Sequence, residues 1–209
     1  SETLEVSEYY SKIIFLNASA INSTSIMMNS KSDRFPNGFG NDSGELGHNL
    51  MDHHFKAGAY AKMDGYEDSY YYGKRPNSGY LPRFRNLKKN DMNFLRGYGY
   101  QGGASRSGWY RAAEEGLTGE NLLSTSLKPG EWSMNLLGFG EILPYHDNKM
   151  YLDNNKLDKW GMPTIVFESA IKENELKMRV DMKDSAAEML ESCGFKDVIP
   201  YDNFYSMGN

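Results

Sequence analysis

Cysteine is almost absent from this sequence. Of 209 residues only Cys193 is a cysteine, so no disulfide bond can form within the chain. This composition fits a reducing compartment but also permits the periplasm. Long apolar runs are missing as well, because no stretch approaches the roughly 20 residues of a membrane-spanning helix. The first residues lack the basic-then-apolar pattern of a signal peptide. We therefore expect a soluble chain, either cytoplasmic or periplasmic.

An excess of basic charge is also missing. Lysine and arginine total 23 against 28 acidic residues, which gives a formal net charge of −5. The densest basic run, Arg83 to Lys89, is short and is interrupted by Phe84 and Leu87. Binding to a nucleic-acid backbone requires a cluster of cations that neutralises phosphates. The sequence therefore argues against a nucleic-acid partner.

The most informative stretch that is present runs from Phe35 to His54. Four glycines and a proline exclude a regular helix or strand in its first half. Polar side chains then crowd into its end, and a constrained loop rich in such groups is typical of a ligand-binding segment. These polar residues are Glu45, His48, Asn49, Asp52, His53 and His54.

The hydrophobic pattern predicts a β–α unit followed by an antiparallel sheet with helices against it, which is an α+β fold. The first unit consists of a buried strand over Lys12–Leu16 and a helix over Ile21–Asn29. The remaining strands are predicted over Phe55–Met63, Tyr80–Arg85, Asn93–Gln101, Glu131–Leu143, Lys149–Leu152 and Thr164–Phe167. We place a domain boundary after residue 54, giving domains 1–54 and 55–209.

Two further helices are predicted in the second domain. A short one covers Arg111–Glu115 and ends at Gly116. A long one covers Glu173–Cys193 and ends at Gly194. Its inward stripe is predicted to contain Leu176, Val180, Ala187 and Leu190.

The segment Gly44-Glu-Leu-Gly-His-Asn-Leu-Met-Asp-His-His54 resembles the Gly-x-x-Gly-x-x-(Leu/Met)-x-Asp-His segment of the glucose–methanol–choline (GMC) family of flavin oxidoreductases. The preceding strand–turn–helix of Lys12 to Ser30 is similar to the segment that comes before that motif in the family. One departure is that the usual Thr-Pro of the turn is Asn22-Ser23 here. A later stretch, Gly140 to Pro163, is similar to the family's Glu-x-x-Pro and Asp-x-x-Gly-x-Pro segment.

The resemblance implies an FAD-dependent enzyme that oxidises a CH–OH group of a sugar or polyol by hydride transfer to flavin N5. Residues 1–54 would belong to the FAD domain and 55–209 to the substrate-binding domain. The residues implied to lie near FAD are Ala18, Ser19, Asn22, Asn49, Asp52 and His53.

The resemblance also implies that the catalytic machinery lies outside this stretch. Family members carry a Gly-x-Gly-x-x-Gly unit before this portion and a catalytic histidine after it, which here would lie beyond Asn209. We therefore expect no catalytic residue among residues 1–209 and missing N- and C-terminal parts of the same protein. We also expect no activity from this chain alone, and FAD to bind only to the complete protein.

Aromatic and polar side chains on the predicted sheet suggest a surface that stacks against a sugar and donates hydrogen bonds to it. The chain has 15 tyrosines, whose rings pack while their hydroxyls remain hydrated. The candidate substrate-binding residues are Arg83, Tyr98, Gln101, Trp109, Glu141 and His146. For each ring the alternative is packing between the sheet and a helix.

Three other functions have some support in the sequence, and two of them have an argument against them. The string Gly97-Tyr-Gly-Tyr-Gln-Gly102 matches a dinucleotide fingerprint, but a polar, aromatic context favours a glycine-rich strand. His48, His53 and His54 would be the ligands of a metal-dependent hydrolase, but adjacent histidines on an extended chain point to opposite faces, so we predict no metal site. The third alternative is a non-catalytic carbohydrate-binding or interaction module with the same fold.

Overall fold

The computed structural model describes residues 5–66, 78–106, 108 and 110–206, with side chains described as far as 203. These residues divide between two compact units, residues 1–50 with 145–169 and residues 51–144 with 170–209. Residues 145–169 thus join the first unit, whereas the sequence-based division assigned them to the second domain. In chain order the elements are α1 (Ser19–Asn29), β1 (His53–Met63), β2 (Gly79–Leu81), β3 (Tyr98–Arg106), α2 (Tyr110–Glu114), α3 (Gly119–Ser126), β4 (Trp132–Glu141), β5 (Lys149–Leu157), β6 (Pro163–Glu168), α4 (Glu173–Ser192) and β7 (Lys196–Ser206).

The second unit is built on a five-stranded sheet in the order β2-β3-β4-β1-β7. Every described pairing in it is antiparallel. Helix α4 packs on one face, where small residues of β1 such as Ala57, Ala59 and Ala61 lie against Met178 and Met182. The predicted α+β class, with a mostly antiparallel sheet backed by helices, is confirmed.

The predicted inward stripe of α4 is confirmed at Leu190 and Ala187, which belong to the core or pack against it, and is wrong at Leu176 and Val180. Leu176 and Val180 are 49% and 51% exposed. The buried residues at helical spacing are Glu175, Met178, Arg179, Met182, Ser185, Ala186 and Leu190. Glu175 and Arg179 belong to this buried face. A search for apolar residues at helical spacing therefore selects the neighbouring Leu176 and Val180 instead.

Strand β2 is shorter than predicted, and β3 lies further along the chain than predicted. Strand β2 has three residues and β3 begins only at Tyr98, so Phe94 and Arg96 are not strand residues. The Asn86 side chain holds this loop, because its amide nitrogen donates to the carbonyl oxygens of Phe94 (2.8 Å) and Arg96 (2.9 Å). Asn86 and Arg96 both have left-handed backbone conformations, which a continuous strand does not accommodate.

Two elements have no counterpart in the sequence-based prediction. Helix α3 has no buried residue, so its pattern lacks an apolar stripe. Strand β7 pairs with β1 along its length but has register shifts and Asp197 at φ +50°. Polar residues and Pro200 interrupt the period-two pattern that identifies a strand.

The first unit contains α1 and a β5–β6 hairpin. Gly47, at φ +91°, brings its loop against β5, and Met150 N donates to Gly47 O at 2.8 Å. A Cβ at position 47 would lie 2.4 Å from Met150 O. Only a glycine permits this approach.

The predicted strand over Lys12–Leu16 is wrong. The segment forms no strand, and Ile14 and Phe15 are 78% and 81% exposed. Within the described residues no other strand pairs with it, and an isolated extended segment cannot satisfy its backbone groups through a ladder. The predicted helix that follows is confirmed as α1.

Helix ends agree with the glycine positions in the sequence. Gly116 and Gly194 follow α2 and α4 with φ of +69° and +83°, the left-handed conformation that terminates helices. Among the described helices none is both long enough and apolar enough to cross a membrane.

Candidate functional site

The face of the five-stranded sheet opposite α4, called here the open face, presents successive rows of side chains, beginning with the row of His53 and Glu141. The rows follow from the register, since directly paired residues share a face. His53 pairs with Glu141 and Phe55 with Phe139. Gln101 pairs with Leu137 in the third row.

A depression of about 370 Å³ lies at the β2–β3–β4 end of the open face. It is at the lower end of the range of ligand pockets, about 300–1,000 Å³. Its lining includes five of the predicted site residues, namely His53, Arg83, Tyr98, Gln101 and Glu141. Tyr80, Phe139 and glycine backbone complete the walls and floor.

Two glycines of the Gly97–Gly102 string make room for the side chains that shape this depression. A Cβ at Gly97 would lie 2.6 Å from Arg83 Nε, and one at Gly99 would lie 2.8 Å from Leu81 O and 3.3 Å from Tyr80 Oη. The glycines of the string therefore allow Arg83 and Tyr80 to lie directly against its backbone. From Tyr98 onward the string lies in the antiparallel strand β3. A dinucleotide site needs a strand followed by a helix N-terminus, so the interpretation as a glycine-rich strand is confirmed.

Glu141 is the acidic group of the depression and is flanked by two guanidinium groups. Arg83 Nη1 lies 3.3 Å from Glu141 Oε1, and Arg96 Nε lies 4.0 Å from Glu141 Oε2. Arg83 is itself fixed, because its Nε donates to Arg85 O (3.1 Å) and its Nη2 to Asn86 O (2.9 Å). The carboxylate is thus held in place and keeps further acceptor capacity for a ligand hydroxyl.

His53 and Gln101 supply side-chain hydrogen-bonding groups that no other described residue uses. Both side chains are exposed. Within the described part of the chain neither side chain has a hydrogen-bond partner, whereas the His53 backbone N–H donates to Asp52 Oδ1 at 2.7 Å. An amide and an imidazole beside a carboxylate can donate to and accept from several hydroxyls of one small ligand.

Tyr98 was predicted to contact the substrate, but its side chain lies on the opposite face beneath α4. The residue is 2% exposed, and its hydroxyl donates to Asp181. Burial, and then the hydrogen bond to Asp181, raises the pKa of Tyr98. Arg85 also binds Asp181, with Nε 2.9 Å from Oδ2. Tyr98 therefore anchors α4 to the sheet, and its ring is not available for stacking at the depression.

The residues predicted to lie near FAD in the first β–α unit gather at the start of α1. Ala18 is the N-cap residue, Ser19 begins the helix at φ +64°, and Asn22 is exposed in the first turn. Among the described residues, no side chain caps this end of the helix. The first-turn amides are therefore available to a ligand oxygen.

The remaining predicted residues of the loop form local contacts. Asn49 Nδ2 donates to Glu45 Oε2 at 2.7 Å. His146, predicted to bind substrate, stacks on His48 with ring centroids 4.0 Å apart, and its carbonyl lies 2.7 Å from His48 Nδ1. His146 Nε2 is also 3.6 Å from Glu45 Oε1. These residues lie in the first unit, so they form a cluster of their own.

Two positions named in the sequence-based prediction lie outside the described residues. One is Trp109, the last predicted substrate-binding residue. The other is Asn209, the residue beyond which the catalytic histidine is expected. The structure therefore places neither of them, and the position of the catalytic histidine stays a prediction.

Across the described ranges, no three histidine, cysteine, aspartate or glutamate side chains converge in a way that could hold a metal ion.

Sequence reasoning missed Tyr80 and Phe139 as lining residues. Phe139 alternates with Glu141 and Leu137 along β4, so the period-two pattern around Glu141 was a usable signal. Tyr80 offered none, because the place of its ring depends on Gly99 of β3, where a Cβ would lie 3.3 Å from Tyr80 Oη.

Directly behind the depression, His54 is fully buried between β1, β4 and α4. A Cβ on Gly140 would lie 2.2 Å from His54 Nε2. Within the described part of the chain, neither ring nitrogen of His54 has a partner in hydrogen-bonding geometry. The nearby backbone of Glu141 acts to raise the pKa of the ring, but this effect is outweighed. Burial first, and then the nearby Arg179 cation, lowers the pKa of His54 to about 4.

Arg179 is a fully buried cation of this layer. It binds Asp202 of β7, with Nε 2.8 Å from Oδ1, and it donates to the carbonyl of Phe55 at 2.9 Å. The same side chain donates to Asn203 O at 3.0 Å. Arg179 thus fixes α4 to the bulge in β1 and to the edge strand, which holds the sheet behind the depression in place.

No protein-family model matches the sequence, and no curated protein matches it significantly.

Proposed function

We propose that this chain is the substrate-binding portion of an FAD-dependent oxidoreductase of the GMC type, acting on a CH–OH group of a sugar or polyol. The observation that carries the proposal is the convergence of His53, Arg83, Gln101 and Glu141 in one depression. The sequence analysis named each of them separately as a candidate site residue, and they come from four different segments of the chain.

The chemistry of the depression suits a polyhydroxylated ligand. Glu141 accepts, Arg83 donates, and Gln101 and His53 can do either. The Phe139 ring offers an apolar surface of the kind that packs against the C–H face of a sugar. A buried polar group of the ligand would then be matched by a protein group, which is how such sites obtain specificity.

The residues implied for FAD fit a nucleotide cofactor in one respect, because the α1 N-terminus has amides without a side-chain cap. When bound, the flavin would accept the hydride from the substrate carbon. Ala18, Ser19 and Asn22 would contact the cofactor, while the depression residues would bind and orient the sugar. No residue up to Asn209 is proposed as the base that removes the hydroxyl proton.

The proposal is tested by titrating the chain with neutral monosaccharides and polyols, followed by ¹H–¹⁵N NMR. We expect saturable shifts of the amides of residues 53, 99, 101 and 141. Hydrogen bonds to charged groups contribute about 1.5–3 kcal/mol, so Glu141→Gln should weaken binding about tenfold or more. The matched control is Glu188→Gln, an exposed glutamate on α4, which should leave the affinity unchanged. The absence of any shift at saturating ligand concentration contradicts a sugar site in this depression.

The coding region that surrounds this stretch separates an oxidoreductase from a carbohydrate-binding module. The proposal expects a Gly-x-Gly-x-x-Gly unit upstream in the same reading frame and a histidine-bearing segment downstream of Asn209. A frame that binds sugar but encodes neither favours the non-catalytic module. Titration of the chain with FAD, followed by flavin absorbance and fluorescence, measures how much of the cofactor site this portion supplies on its own.

A further inference from the structure

An apolar strip adjoins the depression on the open face. It consists of Phe55, Leu137 and Phe139, all half-buried. Phe139 belongs to both features, because it lines the depression and stacks on Phe55 with ring centroids 5.9 Å apart and ring planes 14° from parallel. The strip runs across the sheet from β4 to β1, away from Arg83 and Tyr80.

The two features have opposite chemistry. At the depression, Glu141, Arg83, Gln101 and His53 offer hydrogen bonds. One strand spacing beyond Phe139, about 4.8 Å away, the Phe55 ring offers apolar surface, and Lys56 Nζ lies over this ring at 5.5 Å from its centroid. A free monosaccharide would fill the polar part and leave the strip in contact with water.

We infer that the site takes a sugar that carries an apolar substituent, such as an aryl or alkyl glycoside, with the sugar in the depression and the substituent on the Phe55–Leu137–Phe139 strip. This inference rests on the proposed function and specifies its substrate class. A phenyl group can pack against the rings of the strip, because aromatic rings associate at centroid distances of about 4.5–7 Å. Binding there removes both the substituent and the strip from water.

The test compares methyl, hexyl and phenyl glycosides of the same sugar by NMR titration or calorimetry. We expect the phenyl glycoside to bind at least tenfold more tightly than the methyl glycoside. Each additional methylene of the alkyl series that is buried should add about fourfold. This comparison uses the wild-type chain, so it does not depend on any variant that fails to fold.

The variant Phe55→Ala tests whether the substituent of the glycoside lies on the strip. Phe55 does not line the depression, so the methyl glycoside should bind as before and the phenyl glycoside should lose its advantage. Ile199→Ala is the matched control, because Ile199 is an exposed apolar residue elsewhere on the same face. It should change neither affinity.

The outcomes separate the two proposals. Equal affinity for all glycosides with specific binding of the sugar overturns the inference and leaves the proposed function intact. An advantage of the phenyl glycoside that persists in Phe55→Ala also overturns the inference. Failure of every glycoside and sugar to bind overturns the proposed function and the inference with it.

Discussion

The buried imidazole of His54 makes stability depend on pH in a way that can be calculated. Its pKa is about 4 in the folded chain, against about 6.5 in an unfolded one. Since the unfolded state binds the proton first, stability is complete above pH 6.5 and falls as the pH drops towards 4. The folded and unfolded pKa values differ by about 2.5 units, which corresponds to a loss of roughly 3 kcal/mol in the free energy of unfolding once the pH is well below 4. The part of this loss that falls between pH 7 and pH 5 is about 2 kcal/mol.

The groups that face His54 explain the direction. Arg179 of α4 disfavours a second cation, while Glu175 of α4 and Asp202 of β7 favour it. Burial is the largest effect, because the ring is fully buried without a hydrogen-bond partner among the described residues. His54→Phe preserves the ring shape and removes both the titration and the unpaired nitrogens.

Urea unfolding at pH 7 and pH 5 measures the effect. We expect the wild type to lose about 2 kcal/mol more than His54→Phe between these pH values. His53→Asn, which removes the adjacent exposed histidine, should behave as the wild type. Equal losses in wild type and His54→Phe, or an NMR titration of His54 near pH 6.5, would refute the reasoning.

Substitutions at three positions test the packing around the sheet and the end of α4, each by the urea midpoint at pH 7. Gly140→Ala places a Cβ 2.2 Å from His54 Nε2 and should destabilise by about 1–3 kcal/mol; an unchanged midpoint would mean that the ring can move aside. Tyr100→Phe removes a buried hydroxyl that donates to Met182 O at 2.6 Å and should cost about 1 kcal/mol. Gly194→Ala forces a side chain into φ +83° after α4 and should cost about 1 kcal/mol, whereas Gly194→Asn should cost less because asparagine tolerates this conformation.

Local patterns in the sequence predicted the strands whose faces differ in polarity. Strands β1, β4, β5 and β6 lie where alternation or short apolar runs placed them. Gly116 and Gly194 predicted where α2 and α4 end. The reason is that side-chain alternation and left-handed caps depend on neighbours along the chain, which any single sequence displays.

The errors occur where a distant contact decides the structure. Charged residues occupy the buried stripe of α4 because Arg179 finds Asp202 and backbone carbonyls across the sheet. Lys12–Leu16 is apolar enough for a strand, yet no described strand pairs with it. Tyr98 lies beneath α4 together with Tyr100, on the face opposite Gln101, and its hydroxyl donates to Asp181.

For the candidate site, the sequence by itself determined which residue types were present and which motif suggested their use. It identified His53, Arg83, Gln101 and Glu141 individually, and tertiary structure alone brought them together in one depression. The register of β1, β3 and β4 decided this, because it sets which side chains share the open face. Register depends on pairing between segments up to about ninety residues apart, and no local pattern encodes a contact at that separation.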